Sequence, residues 1–305
     1  MREPAILSSR GLRAAIISGM TQDLEARLRG LRASVATDAL VDLGCDLAEV
    51  DRHQDAEWCF RRAADLGDAL GSFNLAIALR AQHRDVEAVA AYEAAIDGGV
   101  TDAWRNLGGL LEDLGDLAGA MRAYRGAVRS GDLTGGLQLA FLLREQGERL
   151  EAMEVAQQMA AGGHVEAAAV HACWRWCATL DVTLEADLRV AADHYPPARA
   201  DLADLLRETG RQAEARSVLE RGAKLGEAVA WLPLGNFYAD EMGDEEAAEE
   251  AYRGGIAAGE VHCHHNLAYL LAERGDLEGA VEQFRLGAAA GDPLAADALR
   301  ELEHG

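Results

Sequence analysis

Long apolar runs are the first thing this 305-residue sequence lacks. No stretch of about 18 apolar residues occurs, so no membrane-spanning helix is expected. The first twenty residues carry arginines and only short apolar patches such as Ala14-Ala15-Ile16-Ile17, which make a poor secretory signal. Cysteine is scarce and odd in number, five residues scattered without framework spacing, so a disulfide scaffold is excluded and a reducing cytoplasmic setting is expected. Basic charge is also short: 29 Lys and Arg stand against 52 Asp and Glu, for a net charge of −23. Phosphate backbones need a basic surface, so this balance argues against nucleic acid and favours a basic or apolar protein partner. Catalytic signatures are missing too. There is no Gly-rich phosphate loop, no GxSxG and no HExxH, and nothing marks a cofactor site, so a non-enzymatic protein is expected. Aromatic residues make up only 5% of the chain, and much of its 50% apolar content is alanine, a composition suited to closely approaching helices.

What is present is an internal period. A small residue recurs at Gly44, Ala76, Gly108, Ala140, Ala172, Ala203, Gly235 and Ala268, at intervals of 31 to 33 residues. Leucine follows three residues later at 47, 79, 111, 143, 206 and 271, and a second small column runs through Ala56, Ala88, Ala120, Ala152, Ala215, Ala248 and Ala280. Such a period identifies a repeat architecture before any local reading does. Within a unit the apolar residues keep helical spacing, which predicts two helices per unit, for example 102–114 and 117–129. Glycine followed by an acidic residue separates them at 115–116, 147–148, 243–244 and 275–276, and the same device joins units at 67–68, 131–132, 226–227, 259–260 and 291–292. The glycine suits a left-handed helix end and the acid suits the next helix start.

Trp104, Leu107-Gly108, Leu111, Ala120, Tyr124 and Ala127, with their counterparts along the chain, resemble the tetratricopeptide repeat. The short Gly-Asp and Gly-Glu junctions are also similar to those of the related Sel1-like repeat, whose longer internal loop is absent. The resemblance covers about five-sixths of the chain. It implies an all-α, right-handed superhelical α-solenoid of about eight helix-turn-helix units with a helical cap at each end. The expected layout is a basic N-terminal extension and capping helix (1–36), repeats 1–4 (37–164), a degenerate repeat 5 that could hinge (165–195), repeats 6–8 (196–291) and a C-terminal capping helix (292–305). In the first segment six arginines face three acids, and Leu24, Leu28 and Leu31 form one apolar helical face. Met1 and Met20 are both possible starts. The C-terminal segment has Asp292 as N-cap and Pro293 at the first helical position, with Leu294, Ala298, Leu299 and Leu302 on one face. High Ala, Arg and Gly usage fits a GC-rich bacterial genome.

The pattern breaks in two places. In the fifth unit His171 and Arg175 stand in leucine columns, and a rotated face of Val170, Trp174 and Cys177 would bury better. Pro233 lies inside the first helix of unit seven if that helix begins near Ala228, and is harmless if it begins near Trp231.

Metal-type side chains occur at His171, Cys173 and Cys177, near His164, and again at His262–His265, but neither spacing is a zinc signature, so no metal is expected. The resemblance points instead to the inner face of the first helices, where the family receives a peptide. Carried over by position, the candidates are Phe73, Asn74, Ile77, Arg105, Asn106, Gln138, Phe141, Trp176, Asn236, His265, Asn266 and Tyr269. Asn74, Asn106 and Asn266 share one column, and an Asn amide can both donate to and accept from a peptide backbone. The family's carboxylate clamp does not match, since its basic positions hold residues such as Val41 and Phe73. The expected role is a protein-interaction scaffold. The alternative is a regulatory module whose fifth unit responds to a small ligand or metal.

Overall fold

The structure, a computed structural model of the chain, describes residues 23–31 and 35–304. The candidate starts and most of the basic extension fall outside these residues. Among the described residues the fold is all-α. The chain divides into two compact units, Met1–Val155 and Ala156–Gly305.

In the first unit, helix α1 (23–31) precedes α2 (Thr37–Glu49), α3 (His53–Asp65), α4 (Ala69–Ala81), α5 (Asp85–Asp97), α6 (Asp102–Asp113), α7 (Leu117–Arg129) and α8 (Leu133–Glu145). Helix α9 (Arg149–Ala161) runs across the division. Helices α2 and α3, α4 and α5, and α6 and α7 pack as hairpins, and each hairpin packs on the next. Leu24 and Leu28 of α1 are buried against Leu43, Leu47 and Cys59. Arg27 pairs with Asp46 at 2.5 Å and Glu25 with Arg52 at 3.1 Å, tying α1 to the first hairpin.

The repeat columns are the packing surface. A Cβ placed on Gly108 would lie 2.5 Å from the ring of Tyr124, so only the bare backbone lets α6 seat on that ring. Gly44 meets Phe60 and Gly235 meets Tyr252 in the same way. At the turns, Gly115 takes φ 79° and Gly131 φ 84°, conformations open to glycine without a Cβ clash. The acid that follows caps the next helix: the side chains of Asp68, Asp116, Asp132, Asp244 and Asp276 accept backbone N–H bonds at 2.7 to 3.0 Å. Where glycine is missing, the turns at Asp51 (φ 60°) and His83 (φ 57°) keep the same backbone bonds in the left-handed region, and Leu180 (φ 50°) takes that region at a turn of different bonding.

In the second unit come α10 (Val165–Thr179), a 3-10 turn (Val182–Leu184), α11 (Glu185–Ala191), α12 (Ala198–Glu208), α13 (Gln212–Lys224), α14 (Ala228–Asn236), a π-helical turn (Phe237–Met242), α15 (Glu245–Ala257), α16 (Cys263–Glu273), α17 (Leu277–Ala289) and α18 (Pro293–His304). Helix α14 begins at Ala228, so Pro233 is inside it, and the backbone changes to π geometry four residues later. Proline supplies no N–H and its ring crowds the preceding turn, which accounts for a break in the helical ladder here. The sequence pattern carried no signal for the π turn. Arg199, 5% exposed, donates from Nε to Glu227 at 2.6 Å and anchors α12 to the start of α14. In α10, Val170 and Trp174 are buried as the rotated face requires, whereas Cys177 is exposed. In α18 the buried residues are Ala295 and Ala298, and Leu294 and Leu302 are exposed. Ala295, Ala298 and the partly buried Leu299 pack against the core that α17 shares, and Leu294 and Leu302 stay outside it. No described helix is long and apolar enough to cross a membrane.

Candidate binding faces of the first helices

The period places equivalent side chains on one stripe of each first helix. In α4, Phe73, Asn74, Ile77 and Arg80 occupy i, i+1, i+4 and i+7; in α6, Arg105, Asn106, Gly109 and Glu112 do the same. Phe73 is half-buried and tilts against Tyr92 with ring centroids 6.1 Å apart. The Asn74 amide donates back to the Leu70 carbonyl at 2.9 Å, and Ile77 is exposed. Arg105 Nε lies 3.3 Å from Asp132 Oδ2, so it supports the carboxylate that caps α8. Asn106 and Phe141 are half-buried and Gln138 is exposed.

Two side-chain pairs at this stripe escaped the sequence reading. Arg80 pairs with Asp113 at 2.5 Å between α4 and α6. Tyr124 reaches from α7 under Gly108 and donates its hydroxyl to Glu112 Oε2 at 2.9 Å. Burial and the neighbouring Glu112 push the Tyr124 phenol well above its ordinary pKa, so it stays a donor. The tyrosine column was legible as packing, but its hydroxyl partner lies on another helix.

In the second unit the stripe of α16 is joined to α14 by hydrogen bonds. Asn266 Nδ2 donates to Asn236 Oδ1 at 2.6 Å, and the same oxygen accepts from the Tyr252 hydroxyl at 2.8 Å. Burial raises the Tyr252 phenol to about 12, so this donor too keeps its proton. His265 Nδ1 lies 3.1 Å from Asn266 Oδ1. His265, Tyr269 and Phe284 form an edge-on trio with centroids 4.8, 5.4 and 5.9 Å apart. Tyr269 is 49% exposed. Pro233 stands in the Asn column of α14, and Asn236, one turn later, supplies the amide there. The Asn236 Nδ2 makes no donor bond among the described residues.

The remaining candidates are placed elsewhere. Trp176 is buried, 3% exposed, at the base of a cleft lined by Leu180, Asp204, Arg207 and Glu241. His171 and the two cysteines diverge. Cys173 is buried, and Cys177 Sγ lies 3.7 Å from Asp201, whereas His171 lines a different cleft with Asp187. His262 contacts Asp292, His264 contacts Gln283, and Cys263 is buried against Gly255. Among the described residues no group of three or more His, Cys, Asp or Glu side chains could hold a metal ion.

Known structures share this architecture. The chain is similar to the Sel1 repeat protein from Oxalobacter formigenes, at 19% identity over 99% of this chain and 97% of that one, with a TM-score of 0.64. It is also similar to the human IFIT1 dimer with PPP-AAAA, at 15% identity over 87% of this chain and 70% of that one, with a TM-score of 0.50. A tetratricopeptide repeat protein from Parabacteroides merdae matches at 15% identity over 88% and 98%, with a TM-score of 0.45. No protein-family profile and no curated protein matches the sequence. The fold is the helical-repeat fold of the Sel1 repeat protein.

Proposed function

We propose that the chain is a non-enzymatic protein-interaction scaffold and that the first-helix stripes of each unit receive a peptide segment. The observation that carries this reading is the α14–α16 group. There the Asn236 amide has a donor to spare, and Asn266 and Tyr252 hold it in place through its oxygen, with His265 against Asn266 and the half-exposed Tyr269 ring beside them. An ordered amide next to an exposed aromatic offers a backbone hydrogen bond and an apolar anchor at once, at little ordering cost. In the first unit Ile77, Phe141 and Gln138 provide the equivalent apolar and polar contacts. With a net charge of −23, the preferred segment is basic or apolar, and its binding weakens with salt. The layout of capped repeats around a degenerate fifth unit in a cytoplasmic protein belongs to the same reading.

The test is selection of binding peptides from a random display library, followed by affinity measurement on two variants, Asn106→Ala with Phe141→Ala and His265→Ala with Tyr269→Ala. Loss of at least tenfold in affinity by one pair, with the melting curve of the chain intact, supports the reading. Full-strength binding by both pairs would contradict it.

A further inference from the structure

The fifth unit is irregular in a way that creates a space. The second helices α3, α5, α7, α9, α13, α15 and α17 each have 13 residues, whereas α11 has seven. In the neighbouring units the columns of His171 and Arg175 hold buried leucines, such as Leu139 and Leu143 before and Leu202 and Leu206 after. A truncated helix opposite two lost leucines leaves a cleft of 490 Å³ inside the second unit, within the range of small-molecule sites.

The lining is chemically uneven. Ala169, Ala172 and Ala191 form a buried apolar floor, and Val165 and Val190 stand exposed at its sides. The charged and titratable groups facing it are His164 before α10, His171 and Arg175 on α10, and Asp187 and His194 on and after α11. Arg175 makes no side-chain hydrogen bond or ion pair among the described residues. Three imidazoles and the Arg175 guanidinium therefore face one lining carboxylate, Asp187, with Asp181 acting on Arg175 from the turn after α10, in a chain whose net charge is strongly negative. Leucine at both positions would pack better, so the polar His171 and Arg175 there have a stability cost that a ligand could offset.

We propose that this cleft is a binding site for a small organic oxyanion, a phosphate or carboxylate on a short apolar body. Arg175 would hold the oxyanion and the alanine and valine walls would take the body. A planar guanidinium matches two oxygens of such a group. Burial and the nearby Arg175 lower the His171 pKa, while Asp187 opposes them. An anion would counter both lowering effects, so binding and His171 protonation strengthen each other. Affinity then rises as pH falls from 7.5 to 5.5. This site is independent of the peptide-binding reading, because none of its residues lies on the stripes of α14 and α16.

The experiment is calorimetric titration of the full chain with phenyl phosphate and with benzoate, using inorganic phosphate, benzyl alcohol and benzylamine as comparators. The variants are Arg175→Gln and His171→Leu. The expected result is binding of the two aromatic anions over the alcohol and the amine, weakened about tenfold by Arg175→Gln. His171→Leu restores the repeat column. It should abolish the pH dependence and leave melting unchanged or raised, which separates a ligand role from a folding role. Inorganic phosphate binding as tightly as phenyl phosphate would overturn the role given to the apolar walls. Absence of binding by any anion, equal binding of benzylamine, or full affinity in Arg175→Gln would overturn the proposal.

Discussion

Two adjacent glycines in α6 should respond oppositely to the same substitution. A Cβ on Gly108 would lie 2.5, 2.6 and 2.9 Å from three ring atoms of Tyr124. That ring is 3% exposed and is held by its bond to Glu112, so it cannot swing aside freely. Overpacking of this kind costs about 1–3 kcal/mol. Loss of the Tyr124–Glu112 bond adds about 1 kcal/mol. Replacing a helical glycine by alanine returns about 1 kcal/mol. Gly108→Ala is therefore expected to destabilise by about 1–3 kcal/mol, the balance of these terms. Around Gly109 the nearest atom is the Tyr124 hydroxyl at 3.8 Å, an ordinary contact distance. Gly109→Ala keeps only the propensity gain and should stabilise by about 0.5–1 kcal/mol. Urea unfolding followed by helical circular dichroism measures both, in the same helix and one residue apart. If Gly108→Ala proved as stable as Gly109→Ala, the idea that the small columns exist to seat an aromatic ring would be wrong.

Further expectations follow from other contacts. Glu227→Ala leaves the buried Arg199 unpaired and should cost about 3 kcal/mol, whereas Arg199→Met with Glu227→Leu should restore most of it, read by the same unfolding curves. Leu180→Gly should stabilise the chain by about 1 kcal/mol, because a leucine at φ 50° is strained where glycine is not. Burial alone would raise the Glu57 carboxyl, but hydrogen bonds from Arg61, Gln82 and Arg84 outweigh it and hold the pKa at about 2. Its folded pKa is thus below the ordinary carboxylate value. The stability it contributes is present above pH 4.5 and is lost as pH falls toward 2, and Glu57→Gln should flatten that part of the acid-unfolding profile.

The sequence made the packing legible because packing repeats. Gly108, Leu111, Ala120 and Tyr124 recur at a fixed interval, so their roles could be averaged over many copies. The bounds of α7 and the Asp-capped turns follow from the same redundancy. Features that occur once were harder to read. Pro233 was visible as an anomaly, but its consequence depended on whether α14 begins at Ala228, and the π turn that follows had no mark of its own. His171 and Arg175 stood out as departures, yet the cleft they line also needs the shortness of α11. In α18 the expected face of Leu294, Ala298, Leu299 and Leu302 is met only at Ala298 and the partly buried Leu299; Ala295 is buried in place of Leu294 and Leu302. In the candidate faces, the asparagine column was readable and its bonding was not. Asn74 turns back to its own helix, and Asn236 and Asn266 find each other across two helices. Side-chain partners 16 or 30 residues apart have no local signature.

The central claim is that the stripes of the first helices are where a partner binds. Hydrogen exchange of the full chain, with and without the tightest peptide selected from a random library, tests it most directly. The account predicts added protection concentrated in α14 and α16 or in α4, α6 and α8, with the second helices of the same units unchanged. Protection confined to α13, α15 and α17, or to α3, α5 and α7, would contradict it.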